Sequence, residues 1–440
     1  MAETPEERAH WRLVLKAFDG YMRYHLSANH ARRMALLTLP KAEKELYVEI
    51  GYKEKLEAVD EGIRRNSEFI DEMVANPVFS DMLSGSDEAF QHTQDCGHHQ
   101  SHGGGLHDTP HVHTHSATPQ LDKDPRRAQI ESDMAQEKVR STLRSFVRDW
   151  SVEGEPERKA CYEPILEALD KYFPSSISSS DKAYLKVDEV VDSGRRPGRD
   201  RSNVRVLIPG CGLGRLAMEI AAQGFFSQGN EFSAYMLIAS DWVLNQTTQP
   251  ESHVIFPYLH SYSNHLTTKH HLLRSLHIPD VCPSQVFGRG RPGPFSLVAG
   301  DFEDIYGPSN WNSNGENDEV GRDKDDHRGQ WNAVVTCFFI DCARNILNFL
   351  KIIHTILDQD GIWINIGPLL WHFENSSTTS VKGESSIELS MDEVKVLARR
   401  VGFELREEKM IKSTYTGIPE GMLRHEYNAA FWVATKLNQV

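Results

Sequence analysis

The run Val206-Leu-Ile-Pro-Gly210-Cys-Gly212-Leu-Gly214-Arg-Leu-Ala-Met-Glu-Ile220 sets three glycines at alternate positions between a short apolar stretch and an amphipathic one. It predicts a strand, a tight turn with no side chains in the way, and a helix whose first N–H groups face back over the strand end. A chain carrying such a turn is expected to build an open αβ sheet and to bind the polar or anionic part of a nucleotide-like cofactor at the strand tips. A dinucleotide turn requires Gly-x-Gly-x-x-Gly. Here Gly210-x-Gly212-x-Gly214 is one residue short.

That shorter spacing resembles the first motif of the class I S-adenosylmethionine-dependent methyltransferases. Two later segments fit the same plan. Gly229-Asn-Glu231 follows the glycines by one helix and a short loop, and an acid at the end of a second strand is where a ribose diol is held. Leu297-Val-Ala-Gly-Asp301-Phe302 then ends a third strand with an acid and an aromatic, a pair suited to an adenine amino group and ring face. Taken singly, each acid reads as an ordinary loop carboxylate; the order of the three motifs carries the argument.

The 440 residues are enough for one large domain and an accessory one, and 48 basic against 63 acidic residues give a net charge of −15. That balance disfavours nucleic acid as a partner. No apolar run approaches the roughly 20 residues a membrane helix needs. Met1-Ala-Glu-Thr-Pro-Glu-Glu has neither a basic nor an apolar segment, so no signal peptide is expected. The six cysteines (96, 161, 211, 282, 337 and 342) show no C-x-x-C spacing, as in reduced thiols of a cytoplasmic or nuclear protein.

Residues 1–83 read as a helical region, with stripes of Trp11, Leu15, Phe18 and Met22 and of Leu56, Val59, Ile63, Ile70 and Met73. Residues 84–127 hold eight histidines between His92 and His115 in a Gly/Ser/Asp/Pro background, read as a disordered loop. With no scaffold and no finger spacing, that tract is not expected to form a metal site. Residues 128–174 are accessory helices, one striped by Val139, Leu143, Phe146, Val147 and Trp150, another spanning Glu155 to Tyr172. Residues 175–203 are a Ser- and Arg/Gly-rich linker, and 204–440 form the methyltransferase domain.

Within that domain, polar interruptions fall around 285–294 and 307–329. Trp331 to Cys337 is a buried strand, and Ile346, Phe349, Leu350, Ile353 and Leu357 mark a helix. Asp360-Gly361 is expected to break that helix before a strand at Ile362–Gly367. A helix at Met391–Val401 precedes strands at Phe403–Met410 and Tyr427–Lys436. Alternating strands and helices imply a parallel sheet, and two closing strands with no helix between them imply an antiparallel C-terminal strand. The expected fold is therefore the Rossmann-like, mostly parallel class I methyltransferase sheet with an N-terminal helical accessory region.

From about Lys138 to Lys436 the chain resembles the carnosine N-methyltransferase family. The matching stretches are Phe146-Val-Arg-Asp-Trp150, Ile208 to Leu216, Gly229-Asn-Glu231, Ala299-Gly-Asp-Phe302, Thr336-Cys-Phe-Phe-Ile-Asp341 and Gly367-Pro-Leu-Leu-Trp-His-Phe373. The resemblance implies methylation of an imidazole nitrogen of β-alanyl-histidine to give anserine, in a homodimer. It also implies cofactor contacts at Arg148, Gly210, Glu231, Asp301, Phe302 and Cys337, with Gly212 and Gly214 completing the turn, and substrate contacts at Asp341, His372 and Tyr427. With Arg148 on an accessory helix, those helices would form a lid over the sheet edge. There is one departure. The family pattern has a Gln three residues before the arginine where this chain has Ser145. The shorter side chain is expected to weaken cofactor binding or to let water fill the gap. Tyr415 competes with Tyr427 for the role of site tyrosine.

Methyl transfer from a sulfonium requires the nucleophile and the methyl carbon close and collinear. An imidazole with pKa near 6.5 is already mostly uncharged at neutral pH, so tautomer control is needed rather than a strong base. A carboxylate that accepts one ring N–H leaves the other nitrogen bare and stabilises the imidazolium that forms, as in the hydrolase triads. Asp341, at the end of a central strand, suits that role; the plainer expectation is that it caps a helix starting near Ala343. Two other readings of the chain stay open: methylation of histidine in a peptide or protein, and a non-catalytic scaffold.

Overall fold

The computed structural model describes residues 4–79, 125–175, 200–288, 290–308, 327–374, 385–418 and 420–437. The expectations for the histidine-rich tract, and for most of the linker and the loop 307–329, lie outside the described residues. Four helices come first: α1 (Pro5–Asp19), α2 (Tyr21–Leu37), α3 (Lys41–Glu49) and α4 (Tyr52–Met73). The long α5 (Pro125–Trp150) and α6 (Glu155–Tyr172) follow. Then come β1 (Arg205–Pro209), α7 (Arg215–Ala222), β2 (Phe226–Glu231), α8 (Ala234–Asp241), β3 (His253–Ile255), β4 (Leu276–Ile278), α9 (Pro283–Phe287), β5 (Phe295–Ala299) and α10 (Phe302–Tyr306). The chain closes with β6 (Trp331–Cys337), α11 (Ile346–Ile356), β7 (Leu357–Gly367), α12 (Met391–Val401), β8 (Phe403–Ser413) and β9 (Tyr427–Lys436).

The main sheet has seven strands in the order β5-β2-β1-β6-β7-β9-β8. β1 pairs in parallel with β2 and β6, β2 with β5, and β6 with β7. β9 runs antiparallel to both β7 and β8. This is the expected mostly parallel class I arrangement. The order reverses between β1 and β6, so their carboxyl tips open a crevice. Val206, Leu207, Ile208, Val334, Val335, Ile362 and Ile364 are all under 2% exposed, as strands covered on both faces require.

Two local expectations change. Asp360-Gly361 ends no helix, because α11 stops at Ile356 and Asp360-Gly361 lie inside β7. Trp331 pairs with Leu357 but Ala333 pairs with Ile362, so Asn332 faces residues 358–361 across a bulge. Met22 is 41% exposed, since α1 ends at Asp19 and a new helix starts at Tyr21; Val14 and Tyr21 are buried instead.

The accessory helices share a core with the sheet domain. Phe69 of α4 lies 5.3 Å from Phe146 of α5 and 4.9 Å from Trp242, and Phe146 lies 5.7 Å from Trp242. Each buried aromatic contributes about 1.5–3 kcal/mol, so the helices are firmly docked. Among the described residues no helix is long and apolar enough to cross a membrane.

Candidate functional site

The glycine turn follows β1. Gly210, Gly212 and Gly214 have φ of 67°, 55° and 78°. The need for glycine is sharpest at Gly210, where a Cβ would lie 2.4 Å from Cδ2 of Phe339. At Gly212 the nearest atom to an added Cβ is Asp149 Oδ2 at 3.7 Å, so the backbone there faces open space beside a carboxylate. Such a bare cradle fits the polar part of S-adenosylmethionine.

Glu231 ends β2 and reaches back to the turn. Its Oε2 accepts the Gly212 N–H at 2.9 Å, and its Oε1 accepts the Phe232 and Ser233 N–H groups at 2.9 and 2.8 Å. Burial pushes its pKa up, against those three hydrogen bonds. Asp301 caps α10, with Oδ1 accepting from the Glu303 N–H at 2.8 Å and the Asp304 N–H at 3.2 Å. Phe302 is 3% exposed, with Tyr306, Phe339 and Phe349 rings 5.2–5.5 Å away. In this structure Phe302 is packed core.

The end of α5 is fastened to the turn by several bonds. Trp150 Nε1 donates to the Leu213 carbonyl at 3.2 Å, and Arg215 donates to the Asp149 carbonyl at 3.0 Å. Arg158 donates to the Arg148 and Ser151 carbonyls at 2.7 Å each. Arg158 and Arg215 both pair with Asp280. Arg148 is thereby held over the sheet edge, its side chain 11% exposed. Its partners are Asp149 and Glu157, each 3.3 Å away, and the Tyr415 ring, 4.6 Å from the guanidinium carbon. Burial alone would lower its pKa, yet Tyr162, Asp149 and Tyr415 hold it above its ordinary value. Ser145, one turn earlier, is buried.

Cys337, at the tip of β6, lies 4.0 Å from an Arg148 nitrogen. The Cys161 thiol of α6 neighbours it, and that neighbour together with burial pushes the Cys337 pKa up. Cys161 bonds Ser413 at 3.0 Å.

Asp341 sits in a short 3-10 turn, Ile340–Cys342, just past β6 and is 3% exposed. It does not cap the following helix. α11 starts at Ile346, and its cap is Asn345, whose Oδ1 accepts the Leu347 N–H. The Asp341 carboxylate instead accepts the Leu370 N–H at 2.9 Å, while the His372 N–H donates to the Asp341 carbonyl at 3.1 Å. Burial raises its pKa, opposed by that Leu370 N–H and the nearby His372 ring. His372 is exposed, with Nε2 3.8 Å from Cys342 Sγ.

Both candidate tyrosines border the same residue. Phe338 stacks on Tyr415 at 4.9 Å and meets Tyr427 edge-on at 5.9 Å. Its φ is 54°, a left-handed conformation that an aromatic residue adopts only when its surroundings impose it. The Phe338 N–H is held by the Ile366 carbonyl at 2.8 Å. Tyr415 exposes 41% of its surface, but its hydroxyl is within electrostatic reach of Arg148, Asp149 and Cys337, and burial of that group pushes its pKa up to about 12. Tyr427 is half-buried and has no such neighbours among the contacts described.

Sequence reasoning missed Asp149, Cys161, Phe338 and Phe339. Asp149 stands next to the singled-out arginine, and Phe338-Phe339 follow Cys337 directly. The missing signal was which way each side chain turns at the end of its element.

The carnosine N-methyltransferase family model matches residues 125–188 and 181–438. A carnosine N-methyltransferase of Schizosaccharomyces pombe is 38% identical over 308 residues, spanning 69% of this chain and 72% of its own. One of Rattus norvegicus is 37% identical over 302 residues, spanning 68% of this chain and 63% of its own, less than two thirds of that protein. A solved S-adenosylmethionine-dependent methyltransferase of Methanosarcina mazei is 11% identical, covers 60% of this chain and 100% of its own, and has a TM-score of 0.33.

Proposed function

This chain belongs to the carnosine N-methyltransferase family, and we propose that it methylates an imidazole nitrogen of carnosine, giving anserine. S-adenosylmethionine is the methyl donor that the family implies, and it supplies an electrophilic methyl group on a sulfonium.

In this reading Gly210, Gly212 and Gly214 form the cradle, and Glu231 takes the ribose hydroxyls. Arg148 binds the methionyl carboxylate and Asp149 the methionyl ammonium, since a guanidinium and a carboxylate lie together beside the turn. Asp301 bounds the adenine side, with the buried Phe302 supporting it from behind, and Cys337 lies at the methionyl end, 4.0 Å from Arg148.

Asp341 accepts the N–H of one ring nitrogen of the acceptor. That fixes the tautomer, leaves the other nitrogen's lone pair bare, and stabilises the positive charge as the methyl group arrives. His372 donates to or accepts from the dipeptide, and a tyrosine hydroxyl, from Tyr415 or Tyr427, orients it. Much of the acceleration comes from alignment, because β1 and β6 are neighbours and bring donor and acceptor edges together.

The observation that carries this reading is the placement of a buried carboxylate, Asp341, beside an exposed imidazole at the strand tip next to the glycine turn. The test is incubation of the full chain with carnosine and labelled S-adenosylmethionine, with mass spectrometry of the product. A new methyl group on the imidazole of the dipeptide is expected. Transfer to histidine-containing peptides but not to carnosine would replace the substrate, and no transfer at all would overturn the reading. A homodimer in the cytoplasm or nucleus completes the proposal, with sedimentation and cell fractionation as its checks.

A further inference from the structure

Three potential ligands lie together at the β6–β7 edge, and methyl transfer uses only two of them. One ligand atom each from Asp341, Cys342 and His372 falls within 4.8 Å of the others. The Cys342 sulfur is 3.8 Å from His372 Nε2. A thiolate and an imidazole on one tetrahedral zinc, with Zn–S near 2.3 Å and Zn–N near 2.0–2.1 Å, stand about 3.6 Å apart. The observed spacing is thus close to that of a shared ion and long for a neutral sulfur–nitrogen hydrogen bond.

The scaffold behind the cluster is tied by backbone. The His372 N–H bonds the Asp341 carbonyl, and the Leu370 N–H bonds the Asp341 carboxylate. Exposure rises from buried Asp341 through half-buried Cys342 to exposed His372, so the cluster opens to solvent on one side.

We propose that Asp341, Cys342 and His372 form a three-ligand zinc(II) site whose fourth position faces the acceptor pocket. The Cys342 S–H releases its proton to solvent as the zinc–sulfur bond forms, and each ligand displaces a water from the aquo ion. One consequence rests on the acceptor-site reading above: an ion here occupies Asp341 and His372, so zinc inhibits methyl transfer.

Cobalt(II), which reports thiolate ligation through a near-ultraviolet charge-transfer band, is titrated into the full chain. The histidine-rich tract, with its own Cys96, is the competing ligand source. Cys342→Ser is expected to remove one equivalent of the band, and Cys96→Ser to leave that equivalent in place. A band that survives Cys342→Ser, that vanishes with Cys96→Ser, or that never forms overturns the proposal. Calorimetry with S-adenosylmethionine reports whether Cys342→Ser is folded. If it is not, His372→Ala, at an exposed position, must lower cobalt affinity at least about tenfold. In the activity arm, Cys342→Ser is expected to keep its methyl transfer without zinc and to need at least about tenfold more zinc for half-inhibition. The cobalt band needs no acceptor. A chain that binds cobalt through Cys342 yet never methylates carnosine therefore breaks the functional reading alone.

Discussion

The two halves of the crevice are built differently. Around β1, β2 and β5, backbone does the work. Gly212 bonds Glu231, Phe232 and Ser233 bond it from the other side, and Asp301 is anchored as a helix cap. Around β6 and β7, the candidate side chains have fewer anchors. Asp341 is held by one N–H, His372 is exposed, and Phe338 is held in a left-handed conformation between two tyrosines. Donor binding can therefore survive changes that abolish transfer.

The largest effect is expected at Asp341. The Asp341→Asn amide oxygen can still accept the Leu370 N–H, so the fold and S-adenosylmethionine affinity should hold within about threefold, while transfer falls about 10²–10⁴-fold. Calorimetry and turnover measured together check this, and equal losses in both would dissolve the distinction between the halves.

Arg148 bridges them. Arg148→Ala leaves Glu157 and Asp149 buried without their cation, and loss of one partner of a buried pair costs about 3–5 kcal/mol. Arg148→Lys keeps the charge and loses the fork; donor affinity is expected to drop about tenfold or more with the protein still folded. Unchanged affinity in a folded Arg148→Lys would remove Arg148 from the donor site.

The two tyrosines separate the halves. The Tyr415 hydroxyl lies by Arg148 and Cys337, so Tyr415→Phe is expected to raise the donor Kd several-fold. Tyr427→Phe should raise only the KM for carnosine. The reverse pattern would exchange their roles.

Gly210→Ala forces a Cβ against Phe339 at a positive φ and should cost at least about 1–2 kcal/mol in denaturant unfolding, with weaker donor binding. The smallest effect is in pH. The folded pKa of Asp341 is raised, so its contribution to stability is present below the ordinary aspartate range and lost as pH rises through the raised value. Asp341→Asn never ionises and keeps that contribution. Its unfolding free energy should match wild type in acid and equal or exceed it at neutral pH.

The difference between the halves also explains what could be read from the chain. Gly210-x-Gly212-x-Gly214 and Glu231 form a local backbone pattern, and that pattern appears directly in residue order. So did the closing pair, because no helix separates β8 from β9. Asp360-Gly361 was misread, since a bulge opposite Asn332 absorbs what looks like a helix break. The helix-cap role expected of Asp341 fell only when Asn345 proved to be the cap.

The amino-acid sequence alone determined the sheet, the glycine turn and the family, because these rest on backbone conformation and hydrophobic period, which neighbouring residues impose on one another. Only the tertiary structure decided that Asp149 faces the turn, that Cys161 meets Cys337, and that Phe338 is wedged between Tyr415 and Tyr427. Those contacts join residues tens to hundreds of positions apart. They depend on which way each side chain points once distant elements have packed, and no local pattern encodes that.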